Sequence, residues 1–283
     1  MTMIIPARWF TGGKGLSEFR DAMLHDRHIM KLVDYPASAD CFPGVQIKGG
    51  VCYFLWNRDE EGPCAITTNR GNTSTTCVRE LLLPGVNTFV RFNEAIPILE
   101  KVQALSEPSF SCLVSSRKPF GLDTASNFSL DSGKQPIVVY TNRGSVNVDR
   151  SVVERNENWI DQWKVLISYA YGAGEEYPHQ IINKPFVAGP ESACTETYLV
   201  IGPFESREVA KNVVSYLSTK IVRFLIMLLK TTQHATKQVY EFVPLQDFSH
   251  SWSDELIKNK YGISDDEMRF IDSMIRPMEL DNE

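Results

Sequence analysis

The run Gly50-Val-Cys-Tyr-Phe-Leu-Trp56 constrains the fold most strongly. It holds no charged residue and reads as a β-strand covered on both faces, the kind found in sheets flanked by helices. Its neighbours extend the pattern. Met1-Thr-Met-Ile-Ile-Pro6 reads as a short apolar strand, expected to be buried. Ala7 to Gly15 is a loop broken by Gly12, Gly13 and Gly15. Leu16 to His28 has helical spacing, with Leu16, Phe19, Met23 and Leu24 on one face. Ile29 to Tyr35 is β-like and stops at Pro36. Residues 1–57 therefore predict strand, helix, strand, loop, strand, which is an α/β pattern. A chain opening on a core strand is expected to be the later part of a larger fold.

Asn57 to Pro63 is charged and turn-rich, and predicts a domain boundary. Beyond it, Val78–Leu83, Thr88–Phe92, Ile137–Tyr140 and Tyr198–Ile201 are short strand candidates between polar clusters. Trp163 to Tyr171 fits a strand or a short helix. Ser206 is a good N-cap for one long helix, whose apolar stripe runs through Val209, Val213, Leu217, Ile221, Phe224 and Leu228. Ser264-Asp-Asp-Glu267 is a capping box for a last helix ending near Ile275. The expected organisation is residues 1–60, then an α+β region over 61–250, then an acidic helical tail over 251–283.

The net charge of −6 excludes a uniformly basic nucleic-acid binder but not a locally basic one. Residues 201–240 carry six basic and two acidic side chains, and residues 241–283 carry four and eleven. The six cysteines, at 41, 52, 64, 77, 112 and 194, include no C-x-x-C pair. That spacing offers neither a zinc knuckle nor a redox motif. Scattered cysteines without a signal peptide predict a reduced, cytoplasmic chain. The longest apolar run, Ile221 to Leu229, is far shorter than the roughly 20 residues a membrane span needs, so no membrane partner is expected.

Several motifs carry chemistry. Thr11-Gly-Gly-Lys-Gly15 lies where a phosphate binds in other folds, but it lacks the P-loop spacing. Arg8, Lys14 and Arg20 cluster there, so a DNA phosphate is a further reading. His25 and His28 lack a third ligand, which disfavours a metal. No G-x-S-x-G elbow exists. Lys220, Arg223 and Lys230 share one helical azimuth, and Thr231-Thr-Gln-His-Ala-Thr-Lys237 follows them. Cations with hydroxyls and amides, here Thr232, Gln233, His234 and Lys237, suit phosphate contacts; a solvated helix face gives the same pattern. Arg117 and Lys118 in Ser115–Phe120, and Arg143 in Tyr140–Gly144, sit in polar loops that suit base edges or ordinary turns.

Residues 1–57 resemble the end of the catalytic domain of adenine-specific DNA methyltransferases, in particular the gamma-class enzymes of type II and IIG restriction–modification systems. The resemblance is carried by Met3-Ile-Ile-Pro-Ala-Arg-Trp-Phe10, Phe19–Leu24, Lys31-Leu-Val-Asp-Tyr35, Cys41-Phe-Pro-Gly44 and Gly49–Trp56. Lys230 to Phe248 is similar to part of their target-recognition region. The resemblance implies a remnant of a Rossmann-like methyltransferase sheet followed by an α+β target-recognition domain. It implies that Phe42, with Pro43 and Trp9, walls a pocket for the flipped adenine. The implied partners are double-stranded DNA, the amino-terminal methyltransferase half and an endonuclease. Two family motifs are absent. Phe10-Thr-Gly-Gly-Lys-Gly15 has Lys14 where the cofactor turn needs glycine, and no Pro-Pro pair supplies the methyl-transfer motif. S-adenosylmethionine is therefore expected for the complete enzyme and not for this chain alone, and no catalytic residue is assigned within it. The alternative is a non-catalytic DNA-specificity or interaction subunit.

Overall fold

A strand of continuous apolar residues must be covered on its faces and paired at its edges, and both happen to Val51–Trp56. The computed structural model describes residues 1–10, 15–126, 128, 135–172, 177–230 and 232–279. The chain divides into two units, Met1–Glu100 and Lys101–Glu283.

The first unit contains β1 (Thr2–Pro6), α1 (Ser17–His25), β2 (Ile29–Tyr35), β3 (Val51–Trp56), β4 (Cys64–Arg70) and β5 (Thr73–Arg79). They form one sheet in the order β1-β3-β2-β4-β5. β3 is antiparallel to both β1 and β2, so β1 and β2 run parallel, with α1 between them in the chain. β4 is parallel to β2, and β5 closes a hairpin on β4. Trp9, Phe10, Leu32, Cys52, Phe54, Ile66 and Phe89 form the core.

Four expectations change here. β1 is an edge strand rather than a buried one, and Met1, Met3 and Ile4 stay exposed. β3 is not covered on every side, because Tyr53 points outward. Residues 57–63 are a turn inside the sheet rather than a boundary, because β4 returns beside β2. The strand expected at 78–83 is β5, shifted toward the amino terminus. β4 and β5 are rich in threonine, and they pair through Thr67 and Thr76 hydroxyls at 2.8 Å rather than through an apolar stripe.

Residues 88–92 form no strand. They are held instead by side chains. Arg91 donates from Nε to Asp34 Oδ2 at 2.5 Å and from Nη2 to Oδ1 at 2.7 Å. Asp34 is fully buried on β2. Thr68 Oγ1 donates to the Arg91 carbonyl at 2.9 Å, and Arg79 Nη2 to the Val90 carbonyl at 2.6 Å. Gly50 is fitted to the same place: its φ is +80°, and a Cβ there would lie 2.2 Å from the Tyr35 carbonyl oxygen.

Among the described residues, the second unit holds two three-stranded sheets. β6 (Pro136–Thr141), β7 (Gly144–Asp149) and β10 (Ser192–Cys194) form one, in the order β10-β6-β7. β8 (Trp163–Ser168), β9 (Phe186–Ala188) and β11 (Tyr198–Phe204) form the other, in the order β11-β8-β9. The helices are α2 (Ala95–Gln103), in which the chain passes between units, then α3 (Arg207–Ser218), α4 (Lys220–Leu229), α5 (Asp254–Tyr261) and α6 (Asp265–Met274).

The single helix expected from Ser206 is two. Ser206 caps α3 as predicted, but Thr219 leaves the helical conformation and caps α4, accepting from Val222 N at 3.3 Å. Asp254 accepts from the Lys220 and Ile221 amides at 3.1 and 3.0 Å, so the second start is fully satisfied. The bend is 68°, and no single helix among the described residues is long and apolar enough to cross a membrane. The capping box at Ser264 and Glu267 forms as expected.

Residues 251–279 are not a tail. Ile257, Ile263, Ile271 and Met274 are buried, and Asp265, Glu267 and Asp272 pair with lysines. Glu267 pairs with Lys101 at 2.6 Å and Asp272 with Lys220 at 2.5 Å. Glu107 takes Lys260 Nζ at 2.6 Å and Tyr261 OH at 2.5 Å.

Two predictions follow from these contacts. Arg91→Ala strands the Asp34 carboxylate in the core and is expected to cost about 3–5 kcal/mol in chemical denaturation. Burial opposes the charged form of Glu107, but hydrogen bonds from Lys260, Tyr261 and Gln246 outweigh it and hold its carboxyl below the usual range. A depressed carboxylate stabilises above its unfolded-state pKa and ceases to as pH falls through the folded value. The stability gap between parent and Glu107→Gln is therefore widest near neutral pH and closes in acid, as read by thermal unfolding against pH.

Candidate nucleic-acid interface

Some of the predicted DNA-contacting residues surface in one cluster, some are consumed internally by the fold, and Arg8, Arg143 and Lys237 are exposed elsewhere. The cluster is assembled by main-chain bonds. β8 runs on into Tyr169-Ala-Tyr171. The Tyr169 amide donates to the Thr197 carbonyl at 2.8 Å, the Ala235 amide to the Tyr169 carbonyl at 2.8 Å, and the Tyr171 amide to the Gln233 carbonyl at 2.9 Å. The segment 233–235 is thus laid antiparallel along the end of β8. His234 stacks on the Tyr169 ring at 4.8 Å with 20° between planes.

Arg117 comes from elsewhere in the chain to the same ring, its guanidinium carbon 5.1 Å from the Tyr169 centroid. Its Nη2 lies 2.8 Å from Glu196 Oε2. Arg117, Thr232 and Gln233 are exposed and His234 is half-buried. The result is an aromatic, amide and guanidinium surface that can stack on a base and donate to acceptors. Tyr169 and Glu196 escaped the sequence reading; the aromatic alternation Tyr169-Ala-Tyr171 at a strand end was the available signal.

Other predicted contacts are placed differently. Arg223 is fully buried and cannot reach a phosphate. It donates from Nε to the carbonyls of Ser218 and Thr219 at 3.2 Å each, and from Nη1 to those of Gln180 and Arg276 at 3.3 and 2.8 Å. Lys230 donates to the Tyr171 carbonyl at 3.2 Å, and burial pushes its pKa down to about 8, so it supports the cluster from beneath. Lys220 is tied to Asp272, and Lys118 to Asp123. Arg143, in the β6–β7 turn, and Lys237 are exposed, outside the contacts of the cluster. Helical azimuth gave Lys220, Arg223 and Lys230 a common face, but that face meets the protein.

In the first unit, Phe42 is 37% exposed on the connection between β2 and β3. Ser38 organises that connection: its Oγ donates to the Val45 carbonyl at 2.7 Å and accepts from the Ile47 amide at 2.8 Å. Pro43 is exposed beside Phe42. Trp9 corrects the expected pocket wall. It is 1% exposed, packed edge-on against Phe10 at 4.8 Å, and belongs to the core. Arg8 is exposed on the turn after β1, its stem over Gly49, 3.1 Å from where a Cβ would stand. Lys14 and the rest of residues 11–14 lie outside the described residues.

A cavity of about 240 Å³ in this unit is lined by Leu24, Ile29, Leu81 and Leu82 and by Arg27 and Glu80, which form an ion pair at 3.2 Å. It is smaller than the roughly 300 Å³ at which sites for sizeable ligands begin, and Asp26, which also lines it, accepts from Trp56 Nε1 at 2.9 Å. No group of three metal-ligating side chains occurs among the described residues.

Arg223→Ala is expected to lower stability by about 2–3 kcal/mol because four carbonyls lose a charged donor. Arg223→Lys restores little, since an ammonium cannot reproduce the planar fork. Denaturant titration of both variants checks this.

Residues 1–42 match the family model described as Eco57I restriction-modification methylase. Over 69 residues the chain is 36% identical to an uncharacterized adenine-specific methylase of Mycoplasma pneumoniae (strain ATCC 29342 / M129 / Subtype 1), a stretch covering 24% of this chain and 16% of that protein. The solved structure of the type IIG restriction endonuclease BpuSI aligns with 92% of this chain and 41% of its own, at 10% identity and a TM-score of 0.36. The chain thus spans less than half the length of the proteins it matches. In its amino-terminal residues, this chain is similar to a portion of a restriction–modification adenine methyltransferase.

Proposed function

We propose that this chain is the DNA-reading portion of an adenine-specific DNA methyltransferase of a restriction–modification system. In this reading the first unit ends a Rossmann-like methyltransferase sheet and the second recognises the target duplex. One observation carries it. Over residues 1–42, which match the family model, β1 and β2 run parallel with α1 between them; β3, beyond the matched residues, inserts antiparallel between the two strands. Arg8 and Phe42 then sit in the connections after the carboxyl ends of the two parallel strands, where ligands of open α/β sheets bind.

Phe42 and Pro43 are exposed, as a wall for an extruded adenine requires. Arg8 lies close enough to this edge to touch a backbone phosphate. In the second unit, Arg117, Thr232, Gln233, His234 and Tyr169 form the recognition surface, with Arg143 and Lys237 as outlying phosphate contacts. The outer edge of β1 takes a strand from the rest of the methyltransferase sheet, and Met3 and Ile4 are covered in that union. That other half holds S-adenosylmethionine, which supplies the methyl group; this chain does not hold it alone. An endonuclease of the same system is the further expected partner.

The reading predicts duplex binding whose affinity falls by at least about tenfold between roughly 50 and 200 mM salt, measured by fluorescence anisotropy. It also predicts methylation of adenine when the chain is mixed with the complementary half and labelled S-adenosylmethionine. Phe42→Ala is expected to lower that methylation by about tenfold or more with duplex affinity kept. Binding that ignores salt counts against the reading, and duplex binding without methylation in the mixture turns it toward a non-catalytic specificity subunit.

A further inference from the structure

We infer that Arg117 selects a guanine in the target duplex. The inference rests on the reading of the second unit as a duplex-recognition domain and assigns one of its side chains a base.

A guanidinium that neutralises phosphate works best free, mobile and uncompensated. Arg117 is none of these. Its charge is countered by Glu196 at 2.8 Å, and its guanidinium carbon stands over the Tyr169 ring at 5.1 Å. Glu196 is itself fixed: its amide donates to the Leu122 carbonyl at 2.9 Å, and its Oε1 accepts from Thr124 Oγ1 at 3.3 Å. The loop bearing Arg117 is pinned on both sides. The Ser115 amide donates to the Val200 carbonyl at 2.8 Å, and Ser115 Oγ accepts from the Val200 amide at 2.9 Å. Downstream, Phe120 is fully buried, and Asn156 Nδ2 donates to the Pro119 carbonyl at 2.7 Å. Gly121, at φ +82°, leaves no room for a side chain against Glu154.

Yet the Arg117 side chain is 55% exposed, and its guanidinium carries five N–H donors, more than one carboxylate can occupy. A planar fork, oriented in advance with donors left over, matches the paired acceptors O6 and N7 of guanine in the major groove. The compensating carboxylate weakens attraction to phosphate and favours the contact in which geometry matters more than charge.

The test is selection of the full chain against a pool of duplexes with a randomised core, at low salt, followed by sequencing. The parent is compared with Arg117→Ala, Arg117→Gln and Lys237→Ala, each checked for folding by circular dichroism. In the parent, one position is expected to favour guanine by about 5- to 150-fold. That preference falls to near unity in both Arg117 variants while other positions keep theirs. Lys237→Ala lowers affinity for all sequences alike. Uniform weakening by Arg117→Ala, or an unchanged guanine preference in it, overturns the inference and leaves duplex reading intact. A parent that binds duplex with no base preference does the same. A parent that binds no duplex overturns the inference and the function together.

Discussion

A carboxylate without water needs a partner of opposite charge, and Asp34 meets that need with Arg91, 57 residues away in the chain. Much of the first unit is arranged around this pair. The segment 88–92 forgoes a strand ladder to deliver the arginine. Gly50 surrenders its side chain so that β3 can enter beside Tyr35 and Pro36. Phe10 lies beneath the guanidinium at 5.5 Å. The connection bearing Phe42 leaves from β2 just after Asp34 and returns to β3 at Gly50, so the pair fixes both ends of the loop that carries the exposed aromatic.

The second unit solves a different problem, that of cations inside a core. Lys164 is fully buried and donates to the carbonyls of Ile160 and Gly189 and to Ser192 Oγ. Arg223 and Lys230 likewise end on carbonyls. The positive excess of residues 201–240 is therefore spent largely on holding segments together. What reaches solvent near Tyr169 is a smaller set of polar and aromatic groups, gathered by backbone pairing between the end of β8 and residues 233–235.

Legibility from sequence follows from which forces are local. Helix caps act within four residues, so Ser206 and the box at Ser264 were readable. The strands with apolar stripes, β2, β3, β6 and β11, were readable for the same reason. β4 was not, and β5 was expected too far toward the carboxyl end, because threonine pairs carry no hydrophobic period. Thr219 is a cap hidden in a continuous apolar stripe, and only the packing of Asp254 onto the following amides makes the break worthwhile. The boundary expected at residues 57–63 failed because a charged turn looks the same within a sheet as between domains. For the candidate site, Arg117 and Thr232–His234 were found by residue type. Tyr169, which joins them, depends on long-range pairing. Azimuth grouped Lys220, Arg223 and Lys230 but could not say whether their face meets water or protein.

The outer rim of β1 has a consequence for handling the molecule. Its amides and carbonyls have no strand neighbour on that side among the described residues, and Met3 and Ile4 lie beside them in the open. Such a rim is a template on which another extended chain, a second copy included, can pair. Dispersity in concentrated solution is therefore the expected gauge of occupancy: uniform size where the rim is filled, and association on concentration where it is bare.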